Sequence, residues 1–502
     1  MENRACKNCQ QNFTIDEVDA AYYKKIDVPF PTFCPRCRLQ RRLAWRNERN
    51  LFKRKCDKTG RDMISNLRPD ANIPVYHVDA WFKDDWTAPA WPSFDFNKTF
   101  FEQFSNLHRV SPHMHKATGG NEVNSEYMNH AGNCKNCYFI FNSEYIEDSM
   151  YLKFCDHVKD SLDCTNVIKS ELCYECVNVE HGYNLQFCDD CKSSRDCAFI
   201  RFCRGTSNSL FCYGLEQKEY HIFNEPHSKD SYYEQLKAWN LSSWSGLQHA
   251  ITQWNEWSSQ FPFKREIILN CENATGDGLY NCRNALDCYN CSELHDCRYL
   301  VNAVRCKDSY DLFAYGETEL GYEFVTAFKS YNVKFSVYTI NSSDMEYCDS
   351  CYNCNHCFGC VGLNRRSYCI LNKQYSKEEY EDLVKRIKAK MRETGEYGEF
   401  FPAELSCFPY GDSMAQDYFP KEEKVTPPPQ GTFREVSELP DDMKGADIEE
   451  IIQHSYRCPE TGKLFRFQKQ ELEFYKKTNV PIPRMSFEAR YLRRNKLVPF
   501  PA

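Results

Sequence analysis

No run of about 18 consecutive apolar residues occurs in this chain, which excludes a hydrophobic helix long enough to span a bilayer. The first ten residues, MENRACKNCQ, lack an apolar core, so no secretory leader is expected and the cytoplasm is the expected compartment. A glycine-rich phosphate loop, a GxSxG elbow and an HExxH helix are also missing. Enzyme chemistry therefore has little support, and a non-enzymatic role is the stronger expectation. The net charge of −8, from 63 Lys+Arg and 71 Asp+Glu, gives no bulk argument for nucleic acid.

Cysteine, by contrast, is abundant, with 30 in 502 residues. In a reducing compartment these read as metal ligands or small buried side chains before they read as disulfides. Charge is also unevenly placed. Residues 34–61 carry eleven cations against Glu48 and Asp57, which makes this segment +9 and leaves −17 for the rest. A basic head on an acidic body points to an anionic partner for the head.

Cys6-x2-Cys9 and Cys34-x2-Cys37 form a CxxC…CxxC set suited to one tetrahedral zinc ion, so a structural Zn2+ is expected there. Between the knuckles, Thr14-x-x-Glu17 suggests a capping box, followed by Val18, Ala21 and Tyr22 on one helix face. After Cys37, the cations Arg38, Arg42, Arg46, Arg49 and Lys53 fall three or four apart, as on one stripe of a helix, with Trp45 and Phe52 nearby. With Arg41 and Arg54 they make a candidate surface for RNA phosphates and bases. The alternative is a helix resting on the acidic body. Cys56, in CDKTGR, has no partner knuckle and reads as structural.

The C-terminus repeats this design. Residues 13–38 align with 465–490 at a constant offset of 452: Phe13, Tyr23, Lys24, Lys25, Val28, Pro29, Pro31 and Arg38 recur as Phe465, Tyr475, Lys476, Lys477, Val480, Pro481, Pro483 and Arg490. Of the four ligands only Cys6 has a counterpart, Cys458; the others fall on Thr461, Ser486 and Ala489, so this copy is expected to be metal-free.

Between the ends, cysteines 134–212 and again 282–369 are spaced by multiples of three. The same register in the first block holds Ile140, Ser143, Ile146, Ser149, Leu152, Val158 and Ser161, all small or apolar. One residue in three therefore faces a narrow interior, and cysteine is there as a small buriable side chain. Ser149, Ser161 and Ser209, and likewise Cys164, Cys176, Cys188 and Cys212, are separated by multiples of twelve. Twelve residues with four inward positions describe one coil of a tight β-solenoid, stacked on the next by parallel hydrogen bonds about 4.8 Å apart. Cross-coil disulfides between residues six apart, or an iron–sulfur or zinc site in CDSCYNCNHCFGC (348–360), are alternatives for these thiols.

The two blocks are duplicates at an offset of 148: LFCYGLEQKEYHIFN (210–224) matches FGCVGLNRRSYCILN (358–372), and KDSLD (159–163) matches KDSYD (307–311). Each has about seven coils followed by a helix, with a Ser376/Glu379 capping box at the second. The fold class is thus mainly β with helices. It comprises a zinc ribbon with basic helix (1–65), an aromatic-rich connector (66–121), solenoid blocks at 122–226 and 269–374, a helical linker (227–268), a capping helix (375–396), a Pro-rich acidic linker (397–452) and a degenerate ribbon-like module (453–502).

Asp163 and Glu175 sit one coil apart on an outward column, as do Asp311 and Glu323 in the duplicate. Such pairs suit a cation or acid/base chemistry, or ion pairs with Lys159 and Lys307. His113 and His115 are two loop histidines with no third ligand in sequence, so no metal site is expected of them.

The inward register resembles the tight β-helices of insect antifreeze proteins, which implies fold only because their Thr-x-Thr ladder is absent. The order of parts, with CPRCRLQRRLAWRNER after the second knuckle, resembles an uncharacterised family of zinc-ribbon proteins with duplicated cysteine-rich repeats from small-genome uncultivated bacteria. The resemblance implies no established activity. The expected function is an adaptor whose ribbon binds RNA or the ribosome while the solenoids bind protein. The alternatives are a protein-only scaffold or homo-oligomer, in which the basic head binds an acidic solenoid, and an enzyme or cation binder at the carboxylates.

Overall fold

The computed structural model describes residues 1–262, 266–313, 318–326, 329–421 and 432–501. The Pro-rich linker segment 422–431 expected from sequence lies outside them. The chain forms two compact, discontinuous units. The first comprises Met1–Lys116, Arg265–Glu422 and Pro499–Ala502, and the second Ala117–Lys264 and Glu423–Val498.

Each unit is strand-rich, with a parallel, solenoid-like sheet. In the second unit the file Gly132, Glu144, Asp156, Ile168, Glu180, Lys192, Arg204 and Glu216 is paired at a constant step of twelve. Thr165, Val177 and Asp189 are paired in turn, so their neighbours Cys164, Cys176 and Cys188 occupy equivalent places on successive coils. The first unit repeats the step from Arg283 to His295 to Lys307 to Glu319, and from Ser343 to Asn355 to Ser367.

Among the described residues of the first unit, one coil departs from twelve. Glu272 pairs with Arg283, eleven on, and the register recovers at Gly276 with Cys288. This bulge explains why Cys271 falls outside the multiple-of-three spacing. Gly276 has φ 127°, and a Cβ there would meet the Cys288 carbonyl oxygen at 1.7 Å, so only glycine fits.

The coil turns because every third residue takes a left-handed conformation. In the second unit these corner residues run through Asn133, Asn136, Phe139, Asn142, Tyr145 and Asp148 and continue to Phe223. Left-handed backbone is unfavourable for most L-residues and least so for Asn and Asp. Side-chain ladders reinforce the corners: Asn136 donates to Asp148 at 2.8 Å, Asn184 to Asp196 at 2.7 Å and Asn332 to Asp344 at 2.7 Å.

The residue after each corner points inward, and there cysteine and serine do the same job. The Cys176 thiol donates to the carbonyls of Tyr174 and Leu185, both at 3.4 Å. Ser161 Oγ donates to Lys159 O at 2.8 Å and accepts Cys173 N at 3.0 Å. All 30 cysteines are free, and burial pushes the Cys155, Cys176 and Cys203 thiols up. Among the described residues, no three cysteines of the 348–360 run come close enough to hold one metal ion. Cys176→Ser is therefore expected to lower stability by less than about 1.5 kcal/mol, whereas Cys176→Leu overpacks the interior and loses about 1–3 kcal/mol; urea midpoints distinguish the two.

Both solenoids end alike. Asn224 in the second unit bonds Tyr213 N and O at 2.9 and 3.0 Å, and Asn372 in the first bonds Val361 N and O, both at 2.8 Å. An antiparallel return strand follows in each, then a helix: Lys229–Trp239 with Trp244–Ser258, or Lys377–Thr394 with the Ser376/Glu379 capping box in place. These devices cover a sheet edge that would otherwise offer unpaired backbone groups.

Candidate metal centre and docking arginines

The N-terminal hairpin pairs Glu2–Ala5 with Asn12–Ile15, and its turn carries Cys6 and Cys9. Cys34 is the N-cap of helix Pro35–Leu43, and Cys37 lies in its first turn. The four sulfur atoms lie within 4.8 Å of one another, with Cys9 and Cys34 Sγ at 3.8 Å. A tetrahedron with Zn–S bonds of about 2.3 Å has S···S edges of about 3.8 Å, so the spacing fits a zinc ion. Cys34 N donates to Cys6 Sγ at 3.3 Å and Asn8 Nδ2 to Cys37 Sγ at 3.3 Å, groups that steady thiolates. Burial raises the Cys6 thiol, but backbone N–H groups of Cys9, Cys34 and Asn8 outweigh it and bring it down to about 6. Cys6, Cys9, Cys34 and Cys37 thus form a cluster able to hold a metal such as zinc.

The helix Glu17–Lys25 is capped by Asp16, which accepts from Asp19 N, and not by Thr14 as the sequence suggested. Thr14 is still in the hairpin, where its hydroxyl bonds Asn3. The second helix ends at Leu43, so Arg46 and Arg49 lie beyond it and Lys53 belongs to the hairpin Phe52–Lys55/Asp62–Ser65.

The predicted basic surface is largely an interior one. Arg38 and Arg42, each 1% exposed, grip opposite oxygens of the fully buried Asp311, both at 2.9 Å. Arg41 bonds Glu323 at 2.6 Å and Glu399 at 2.9 Å. Arg46 bonds Glu48 at 3.2 Å, Arg49 pairs with Asp417 at 2.8 Å and Arg54 with Asp57 at 2.9 Å. Of the seven cations singled out in the sequence, only Lys53 is exposed. The reason is a matching column of acids on the solenoid corner, which stays outside the coil's lumen yet is covered by the ribbon.

The second unit builds the same contact from the degenerate copy. Arg490 Nε donates to Asp163 Oδ2 at 2.8 Å, and Arg494 reaches Asp163 Oδ1 at 2.9 Å and Glu175 at 3.3 Å. These positions are Arg38, Arg42, Asp311 and Glu323 shifted by the two sequence offsets, with the aspartate contact repeated residue for residue while Glu323 is bonded by Arg41 and Glu175 by Arg494. Tyr23 meets Tyr322 edge-on with ring centroids 5.2 Å apart, and Tyr475 meets Tyr174 likewise at 5.8 Å. Lys25 pairs with Asp308 at 3.0 Å, and Lys477 with Asp160 at 2.8 Å. The four predicted carboxylates therefore hold arginine guanidinium groups. Lys159 and Lys307, the partners suggested in sequence, instead pair with Glu147 and Glu319. Burial raises Glu175 to about 7 against the pull of Arg494.

A third knuckle went unrecognised in the sequence. Gly60 N bonds Cys56 O at 2.8 Å and His77 N bonds Cys56 Sγ at 3.3 Å, with His77 capping helix Val78–Trp81. Gly462 N with Cys458 O at 2.9 Å, and Ser486 N with Cys458 Sγ at 3.5 Å, repeat it in the second unit. The available signal was CDKTG (56–60) beside CPETG (458–462). His113 and His115 also separate: His115 Nδ1 accepts Val78 N at 3.1 Å, while His113 lies beside His108 and Asp349. No described helix is long and apolar enough to cross a membrane.

No protein-family model matches this chain. No curated protein matches it either. Among solved structures, a UDP-N-acetylglucosamine acyltransferase from Campylobacter jejuni aligns at 9% identity over 53% of this chain and 92% of that one, with a TM-score of 0.10, a likeness too slight to carry any argument.

Proposed function

We propose that this protein is a non-enzymatic scaffold in which each ribbon-like module clasps a parallel solenoid, with zinc holding the N-terminal clasp. The observation that carries this reading is the doubled docking contact. Two copies of a ribbon helix present arginines to Asp163 and Asp311 in buried, multiply bonded ion pairs. Residues that would contact phosphate in an RNA-binding ribbon are instead spent within each unit, and the acids that would bind a free cation are neutralised by them. The solenoid faces left outside the clasps are the surfaces available to a protein partner.

In the RNA reading, phosphate contacts fall to exposed cations such as Arg36, Lys53 and Lys55. The distinguishing measurement is binding to mixed cellular RNA as a function of salt, on the full-length protein. The scaffold reading expects weak binding, unchanged when Lys53 and Lys55 are replaced by glutamate. Tight, salt-dependent binding that those substitutions abolish would replace it with the adaptor reading.

A further inference from the structure

Three buried side chains of the first unit converge at a place separate from the four cysteines. His108 lies in the last turn of helix Phe100–Val110, His113 in the short strand His113–Met114, and Asp349 on a solenoid coil paired with Val337 and Val361. They are 2%, 4% and 3% exposed, and their ligand-capable atoms all lie within 4.8 Å of one another. We propose that His108, His113 and Asp349 form a second metal site, taking a divalent transition ion of the zinc class.

Two imidazoles and one carboxylate are a donor set suited to such ions. A plain histidine–aspartate ion pair would need only His108, whose Nε2 is 2.8 Å from Asp349 Oδ2. It does not account for His113, buried as well, whose ring centroid lies 4.6 Å from that of His108. His113 Nε2 is 3.1 Å from the His108 carbonyl, which assigns its proton to that nitrogen and leaves Nδ1 to ligate. Ser350 Oγ donates to Asp349 Oδ1 at 2.9 Å and orients the carboxylate. Ring N–H groups on carbonyls and hydroxyls on carboxylates are the supports that metal ligands usually carry.

The ion would displace the proton between His108 Nε2 and Asp349 Oδ2, widening that contact to about 3.3 Å, the N···O edge of a tetrahedral zinc site. A cleft of about 330 Å³, lined in part by His108, Arg109, Glu404, Ser406 and Cys407, offers an approach. Three protein ligands leave a fourth position for water.

Equilibrium dialysis of the full-length protein against Zn2+, with elemental analysis, tests the proposal. Two equivalents are expected in the wild type. One is expected in His113→Gln, whose amide can still reach the His108 carbonyl, and one in Cys34→Ser. One equivalent in the wild type, or an unchanged two in His113→Gln, would overturn the site. X-ray absorption at the zinc edge of the wild type needs no variant. Mixed sulfur and nitrogen/oxygen shells are expected at two equivalents, and a sulfur-only shell refutes the site while leaving the four-cysteine cluster intact.

Discussion

Stripping zinc from the full-length protein, or replacing Cys34 by serine, is expected to unfold the N-terminal ribbon and to leave the second unit's transition where it was. Structural zinc in small ribbons supplies about 10–16 kcal/mol of binding free energy, most of it folding free energy. The hairpin Glu2–Ala5/Asn12–Ile15 and helix Pro35–Leu43 fall in separate hydrophobic clusters, Ile15 packing in one with Phe100 and Tyr347 and Leu39 and Leu43 in another with Phe313, so the four cysteines are what tie them together. Docking onto the solenoid retains part of the module, so the loss shows as early proteolysis within residues 1–50 and a lowered first transition in a thermal scan with chelator. The second unit carries the control. Cys458 sits in the same backbone cradle, but the other three ligand positions are Thr461, Ser486 and Ala489, so Cys458→Ser is expected to shift stability by about 1 kcal/mol and to be insensitive to chelator.

The second large effect falls on the buried aspartates. Asp311→Ala removes the carboxylate that Arg38 and Arg42 share, and Asp163→Ala removes the one shared by Arg490 and Arg494, which then keep Glu471 and Glu175. Removing one partner from a buried ion pair lowers stability by about 3–5 kcal/mol, because the abandoned charges remain desolvated. Each substitution should lower the urea midpoint of its own unit. Replacing the whole cluster, Asp311→Leu with Arg38→Met and Arg42→Leu, is expected to recover much of the loss, since apolar groups of similar volume carry no desolvation penalty. Failure of that rescue would mean that the arginines hold the ribbon in register by more than their charge.

The coil was legible because its interior admits only small or apolar side chains, so a three-residue register survives in Cys164, Ser161 and Val158 alike. The corner was not read. Its signal is the recurrence of Asn and Asp one place before each inward residue, as at Asn133, Asn136 and Asp148. Phe139, Tyr145 and Tyr151 mask it, because packing overrides backbone preference there. The four zinc-type ligands were legible from spacing alone. The fate of the arginines was not, because an amphipathic basic helix looks the same whether it meets phosphate or carboxylate. The acids opposite, Asp311 and Glu323, lie more than 250 residues away in sequence. Both sequence offsets were visible, yet nothing in one dimension says that a ribbon docks on the block bearing the matching acids. The His108, His113 and Asp349 cluster was hidden for the same reason, since Asp349 comes from a distant coil.

A double-mutant cycle on Arg490 and Asp163 tests most directly whether the clasps are held by these contacts, because the second unit's copy lacks three of the four cysteine ligands. Unfolding free energies of the wild type, Arg490→Met, Asp163→Leu and the double variant give the coupling. A coupling of about 2–3 kcal/mol is expected for partners in one buried network. Additivity to within about 0.5 kcal/mol would contradict the docked arrangement and return the arginines to solvent.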